Sequence, residues 1–243
     1  MKQQRHYALV VAIVLALGVG LFGRSGARHE RRKEEQKSAS NTNMPNEGTQ
    51  GGDATDANKY GSGGDPLLNA QKNRDIAPTA TTEMSPSAVI AIPAGDLPEA
   101  GRRKRENWSS SASTYAHTME QRGVRVTGYL VNAKQSGPES CNDYSETARD
   151  FHLWVSDAPT DDKSQGVIVE MTPRWQERHP EWRLHTLQRL AHDHAQVRVT
   201  GWLMWDEEHA NEVGRSRATQ WEVHPITTFE VLSGGTWRTL AAE

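Results

Sequence analysis

Asp150 and His152 stand two residues apart in DFHLWVS, and Glu222 and His224 stand two residues apart in WEVHP. In an extended strand, positions i and i+2 share a face, so each stretch offers one carboxylate and one imidazole side by side. Glu170 in GVIVEMT has the same parity if the apolar residues of all three stretches face a common interior. Two imidazoles and three carboxylates suit a zinc or other divalent-cation site, with His152 and His224 as the nitrogen ligands, or else a general acid–base pair. A carboxylate beside an imidazole raises ligand basicity when a metal is bound; otherwise it hydrogen-bonds and raises the imidazole pKa. The plainer alternative is a polar outer face with cross-strand hydrogen bonds, because the five residues form no compact ligand motif.

Other reactive side chains carry less. Cys141 is the single cysteine, so it forms no internal disulfide, and no nucleophile signature surrounds it. An inert thiol is the expectation. His192 and His194 close a helical stretch that also holds His185, with His179 just ahead of it; i and i+2 on a helix do not share a face, so cap and solvent roles are expected. Tyr129, Trp154 and Trp202 are candidates for stacking a ligand on an outer strand face, as barrels that bind single-stranded nucleic acid do. Charge argues against that use. Residues 107–243 hold 13 Lys and Arg against 19 Asp and Glu, a balance of −6, which suits a phosphate backbone poorly. The basic run Arg102–Arg105 adds positive charge just before the domain, and a solvated stretch of linker explains it equally well.

The elements that would position these groups are strands. VRVTGYLV at 124–131 returns as VRVTGWLM at 197–204, each with a glycine at its fifth place. Period-two alternation marks a half-buried strand, and a central glycine marks a bend or bulge. Residues 150–156, 166–172 and 219–231 supply three more strands. One helix follows Pro180, with Leu184, Leu187, Leu190 and Ala191 at helical spacing. The order strand, strand, strand, helix, strand, strand resembles the OB-fold, in which the first and fourth strands are neighbours. The fold class expected is therefore mainly β, a five-stranded OB-like barrel over about 122–232, with the repeated strands side by side. The segments Glu139–Asn142, Asp150–Val155 and Trp221–Pro225 are similar to those of a group of uncharacterised bacterial membrane-anchored proteins. That resemblance covers about 122–232 and implies no known activity.

Ahead of the barrel, residues 7–23 are apolar and uncharged over 17 positions, just enough to cross a hydrocarbon core of about 30 Å. A retained single-pass anchor over 1–23 is expected, against a cleaved signal peptide, with the globular part exported. Residues 24–106 are rich in Gly, Ser, Asn, Thr, Pro and charge, with Tyr60 as the only aromatic, and read as a disordered linker. All eight Trp lie at or beyond Trp108, placing the globular domain at 107–243. These readings combine into a membrane-tethered binding or interaction module of the cell envelope, taking an unknown protein or small ligand and no certain cofactor. The alternative is a metal-assisted hydrolase using the Asp150, His152, Glu170, Glu222 and His224 patch and a divalent metal. Single-stranded nucleic-acid binding comes third.

Overall fold

A computed structural model of the chain describes residues 63–99 and 104–241. The expected membrane anchor at 7–23 and the linker as far as residue 62 lie outside the described residues. No helix among those described is long and apolar enough to cross a membrane. In chain order the elements are α1 (Pro66–Lys72), β1 (Thr82–Met84), α2 (Pro86–Ile90), α3 (Ser110–Glu120), β2 (Gly123–Gln135), β3 (Phe151–Ser156), β4 (Val167–Met171), α4 (Pro173–Arg178), α5 (Leu184–His192), β5 (Gln196–Trp205), β6 (Trp221–Ser233) and β7 (Thr236–Thr239).

Five strands close into a barrel in the order β2-β3-β4-β6-β5, with β5 returning to β2. Within the barrel only the β4–β6 pairing is parallel, matched at Val169 and Val223. The barrel interior is filled by the apolar parity of each strand, including Val124, Val126, Leu153, Val169, Val199, Leu203 and Val223, all without solvent exposure. The helix α5 lies between the third and fourth barrel strands, where the sequence predicts it, and buries Leu187 and Ala191. Strands β1 and β7 and the short helices α1, α2 and α4 are additions that hydrophobic periodicity did not reveal.

The two copies of the repeated strand are antiparallel partners. Gly128 lies opposite Val197 and Gly201 opposite Val124, so each copy's glycine faces the other's first valine. Both glycines are required by close backbone approach. A Cβ on Gly128 would come within 2.5 Å of the Ser156 carbonyl oxygen, and one on Gly201 would collide with the Pro225 carbonyl oxygen. The β5–β6 register also shifts on either side of Gly201. The glycine is therefore where β5 bends to meet β6.

The linker expectation fails for residues 63–99. Leu68, Val89 and Leu97 are buried, and Val89 and Leu97 belong to the main core. Composition misled because this segment is held largely by its backbone. The indole N–H groups of Trp175, Trp202 and Trp205 donate to the carbonyls of Arg74, Ile76 and Pro98, at 2.8, 2.8 and 3.0 Å. Asn73 donates to the Cys141 carbonyl at 2.8 Å, and the Arg74 guanidinium lies 4.9 Å over the Trp202 ring. Of the basic run, Arg102 and Arg103 lie outside the described residues and Lys104 is exposed, but for Arg105 the solvated reading is corrected. Arg105 is buried and forks onto Glu120 at 2.6 and 2.8 Å while also reaching the Trp205 carbonyl at 2.9 Å. Such a bidentate, buried pair fixes the approach to α3.

Two outcomes follow from these contacts. Gly128→Ala and Gly201→Ala should each lower stability by about 1–3 kcal/mol in denaturant unfolding, with valine worse at both positions. Equal stability of the valine variants would contradict the close approach. A chain beginning at residue 104 loses three buried aliphatic side chains worth about 1.5–3 kcal/mol each, comparable with the whole stability of a domain. It should show no cooperative thermal transition; an unchanged melt would mean that residues 63–99 are dispensable.

Candidate metal centre

The outer face of β3, β4 and β6 gathers the polar residues whose parity opposes the core. His152 and Glu170 are direct cross-strand partners, which brings their side chains together without any special loop. Glu222 and His224 lie on β6, on the far side of β4 from β3. Asp150 immediately precedes β3, and its carbonyl accepts from Ser136, fixing the strand entrance. All five predicted residues therefore meet, with Glu170 between the two imidazoles. Glu170 Oε2 lies 3.3 Å from His152 Nε2 and 3.1 Å from His224 Nδ1.

The surroundings extend in two directions. Toward solvent, Glu139 Oε1 lies 3.3 Å from His152 Nε2, and its other oxygen accepts from Lys72 Nζ at 3.3 Å. Lys72 also faces Glu208 at 3.8 Å. Inward, His224 Nδ1 meets Glu222 Oε1 at 3.1 Å, while His224 Nε2 points toward Asp150 Oδ2 at 3.9 Å. Asp150 Oδ1 accepts from Asn142 at 3.1 Å. Glu222 reaches Arg217 at 3.4 Å, and Arg217 also pairs with Asp206, which holds His209 at 2.7 Å. A cleft of about 730 Å³ opens over the outer end, lined by Lys72, Lys134, Glu139, Tyr144, His152 and His209 among others.

One expectation about this face is corrected. An exposed outer patch was predicted, yet Asp150, Glu170, Glu222 and His224 are each at most 3% exposed. Residues 63–73 and the Ser136–Ala148 loop lie over the strands, and the sequence carried no apolar signal for that cover. Other contacts remove the proposed stacking platform. Trp202 is buried beneath Arg74 and Ile76. Trp154 is buried with Val131 and Ile168, and its indole donates to the Ser216 carbonyl. Tyr129 is half-buried against that cluster and accepts from Gln196 at 2.8 Å.

Sequence reasoning missed Lys72, Asp206, His209 and Arg217, and it gave Glu139 no chemical role. Glu139 had a signal, since it opens the Glu139–Asn142 segment; Lys72 had none, standing in a stretch read as linker. Cys141 is buried 3.6 Å from Glu139, and burial with the surrounding carboxylates pushes its thiol far above the usual range. That is the inert thiol expected.

Burial and charge divide the protons unevenly. Burial alone would lower His152, but Glu170 and Glu139 outweigh it and push the imidazole up to about 10. Burial raises Asp150 to about 7, against the pull of His224. Glu222 is likewise driven well above the carboxylate range by burial, with Glu170 and Asp206 adding to it. Burial lowers His224. Glu139 and Glu170 are held low despite burial, Glu139 chiefly by Lys72 and Glu170 chiefly by His152. Protons on His152, Asp150 and Glu222 thus stand in for positive charge.

The chemistry of the donor set fits a cation. Asp150 Oδ2 and His224 Nε2 are buried and make no hydrogen bond, while His152 Nε2 and Glu170 Oε2 are held in ion pairs at 3.1–3.3 Å. Zinc bonds of about 2.0–2.2 Å at tetrahedral angles place neighbouring ligand atoms about 3.4 Å apart. Glu139 Oε1 and Glu170 Oε2 both stand 3.3 Å from His152 Nε2. Glu139, His152 and Glu170 form one triad of mutually close ligand atoms, Asp150, Glu170 and His224 a second, and Glu139, Cys141 and Asp150 a third.

The pH dependence of the metal-free protein follows from His152. Its folded pKa lies above the unfolded value near 6.5, so its stabilisation is complete below that value and is lost as pH rises toward about 10. With chelator present, stability should fall between pH 7 and 9, and His152→Gln should flatten that slope. Urea unfolding at several pH values measures it; an equal slope in the variant would contradict the assignment.

In comparisons with known proteins, no family model and no curated protein matches this chain.

Proposed function

We propose that the chain is an OB-like barrel that binds a divalent cation at Glu139, His152 and Glu170 and uses it on a ligand held in the adjoining cleft, as a metal-assisted hydrolase does. The OB-like reading is supported by the barrel order β2-β3-β4-β6-β5 and by α5 between the third and fourth barrel strands. The metal reading rests on one observation. His152 Nε2 stands 3.3 Å from carboxylate oxygens of both Glu139 and Glu170, and Glu139 and His152 line the cleft.

Three protein ligands with the remaining positions toward solvent are the pattern of a reactive zinc site, whereas four closed ligands mark a structural one. A cation there would supply Lewis-acid polarisation to a substrate oxygen. The chain's own residues have separate tasks. Glu139 and His152 present ligand atoms at the cleft floor, and Lys72 holds the second oxygen of Glu139. His209, at the cleft wall and fixed by Asp206, is placed to exchange a proton with a bound molecule. Donors of this type suit zinc or manganese. The apolar stretch at 7–23 supports a membrane tether for the barrel.

A metal-free binding or interaction module is the second reading, and Lys72 favours it. Its ammonium reaches both Glu139 and Glu208, so the outer end of the cluster carries a cation of its own. The test is metal content of the full chain purified without chelator, followed by zinc(II) titration of the stripped protein. Saturable binding is expected, weakened by about 10–100-fold or more in Glu139→Gln and His152→Gln. Chelator should abolish cleavage of model ester or phosphodiester substrates, and zinc or manganese should restore it. Absence of metal and of zinc binding would overturn the metal reading in favour of the module.

A further inference from the structure

We infer that Glu170 is a bridging carboxylate and that the buried cluster holds two divalent cations, a second one lying in the triad Asp150, Glu170 and His224. This rests on the metal reading above and extends it inward. The ligand atoms do not form a single set of five. They fall into three overlapping triads, of which only Glu139–His152–Glu170 and Asp150–Glu170–His224 hold an imidazole, and Glu170 belongs to both; the third, Glu139–Cys141–Asp150, contains the thiol that burial pushes up. A single ion at the cleft floor would leave the inner triad unexplained.

That inner triad has its own signs of a ligand. Asp150 Oδ2 and His224 Nε2 point at each other from fully buried side chains, and neither makes a hydrogen bond. Their separation is 3.9 Å, too long for a hydrogen bond. It lies between the roughly 3.4 Å of tetrahedral neighbours and the roughly 4.3 Å of opposed ligands that bonds of 2.0–2.2 Å allow. An unfilled buried acceptor facing an unfilled buried imidazole nitrogen is otherwise a costly arrangement.

The supporting residues are also in place. A ligating histidine commonly gives its other ring N–H to a carboxylate, which selects the nitrogen left for the metal. His224 Nδ1 lies 3.1 Å from both Glu222 Oε1 and Glu170 Oε2, while Nε2 faces Asp150 Oδ2 at 3.9 Å. Asn142 holds the other oxygen of Asp150 at 3.1 Å, aiming Oδ2 into the triad. Arg217 keeps Glu222 in position from behind at 3.4 Å. Pairs of divalent ions sharing a carboxylate recur where a hydrolytic site must hold both the attacking and the departing oxygen. The outer ion would meet the cleft, and the inner one would be closed off by protein.

The experiment uses stripped full-length protein and manganese(II) alone. After titration and desalting, elemental analysis should find two ions per chain, and the paramagnetic resonance spectrum at two equivalents should be broadened by coupling between adjacent ions. Asp150→Asn and His224→Gln should each reduce the count to one and restore the spectrum of an isolated ion. Thermal melts check that these variants fold, and the count in the unaltered protein decides the matter if they do not. One ion per chain, or two without coupling, overturns the bridged pair and leaves the single-ion reading standing. No bound ion overturns both.

Discussion

Charged groups do not stay buried unless something of opposite sign is brought to them, and most of this fold's outer shell answers that constraint. Four carboxylates, Glu139, Asp150, Glu170 and Glu222, meet on one face of β3, β4 and β6. Isolated, each would cost several kcal/mol to remove from water. Lys72 comes from a helix more than sixty residues earlier in the chain, and Arg217 from the loop before β6. Burial and neighbouring charge also push His152, Asp150 and Glu222 toward their protonated forms. A cluster that depends on borrowed protons is one from which a divalent cation can displace them, since metal binding and proton release are linked.

The cover and the site are one construction. Asn73 and Lys72 reach the Glu139–Asn142 segment, while Trp175, Trp202 and Trp205 hold the backbone just beyond Lys72 and again near Pro98. The tryptophans were visible as large aromatics beyond residue 107, and stacking against a ligand was a reasonable use for Trp202. Their actual partners are main-chain carbonyls. Main-chain carbonyls are the same in every sequence, which is why neither the order of residues 63–99 nor the burial of the outer face was legible.

What was legible depended on local rules. Alternation in DFHLWVS, GVIVEMT and WEVHP put Asp150, His152, Glu170, Glu222 and His224 on one side because strand parity is a property of the backbone alone. The repeated VRVTG stretch predicted adjacent strands, and its glycines predicted a bend. Lys72, Arg217 and His209 arrive from helix and loop, where no periodic pattern relates them to the strands. The halves of the site differ accordingly: strand residues were readable, and the residues that neutralise them were not.

Strand β1 is only three residues long, yet its position matters beyond its size. The first half of β2 pairs with β5 on one side, and its second half pairs with β3 on the other. Val124–Val126 would therefore present unsatisfied amide and carbonyl groups outward if Thr82–Met84 did not lie parallel against them. A bare strand edge of that kind is a template for pairing with another chain. The segment that carries Lys72 to the cluster thus also acts as a plug against self-assembly. Any event that released it would leave that edge of β2 open to pairing with a strand from another chain.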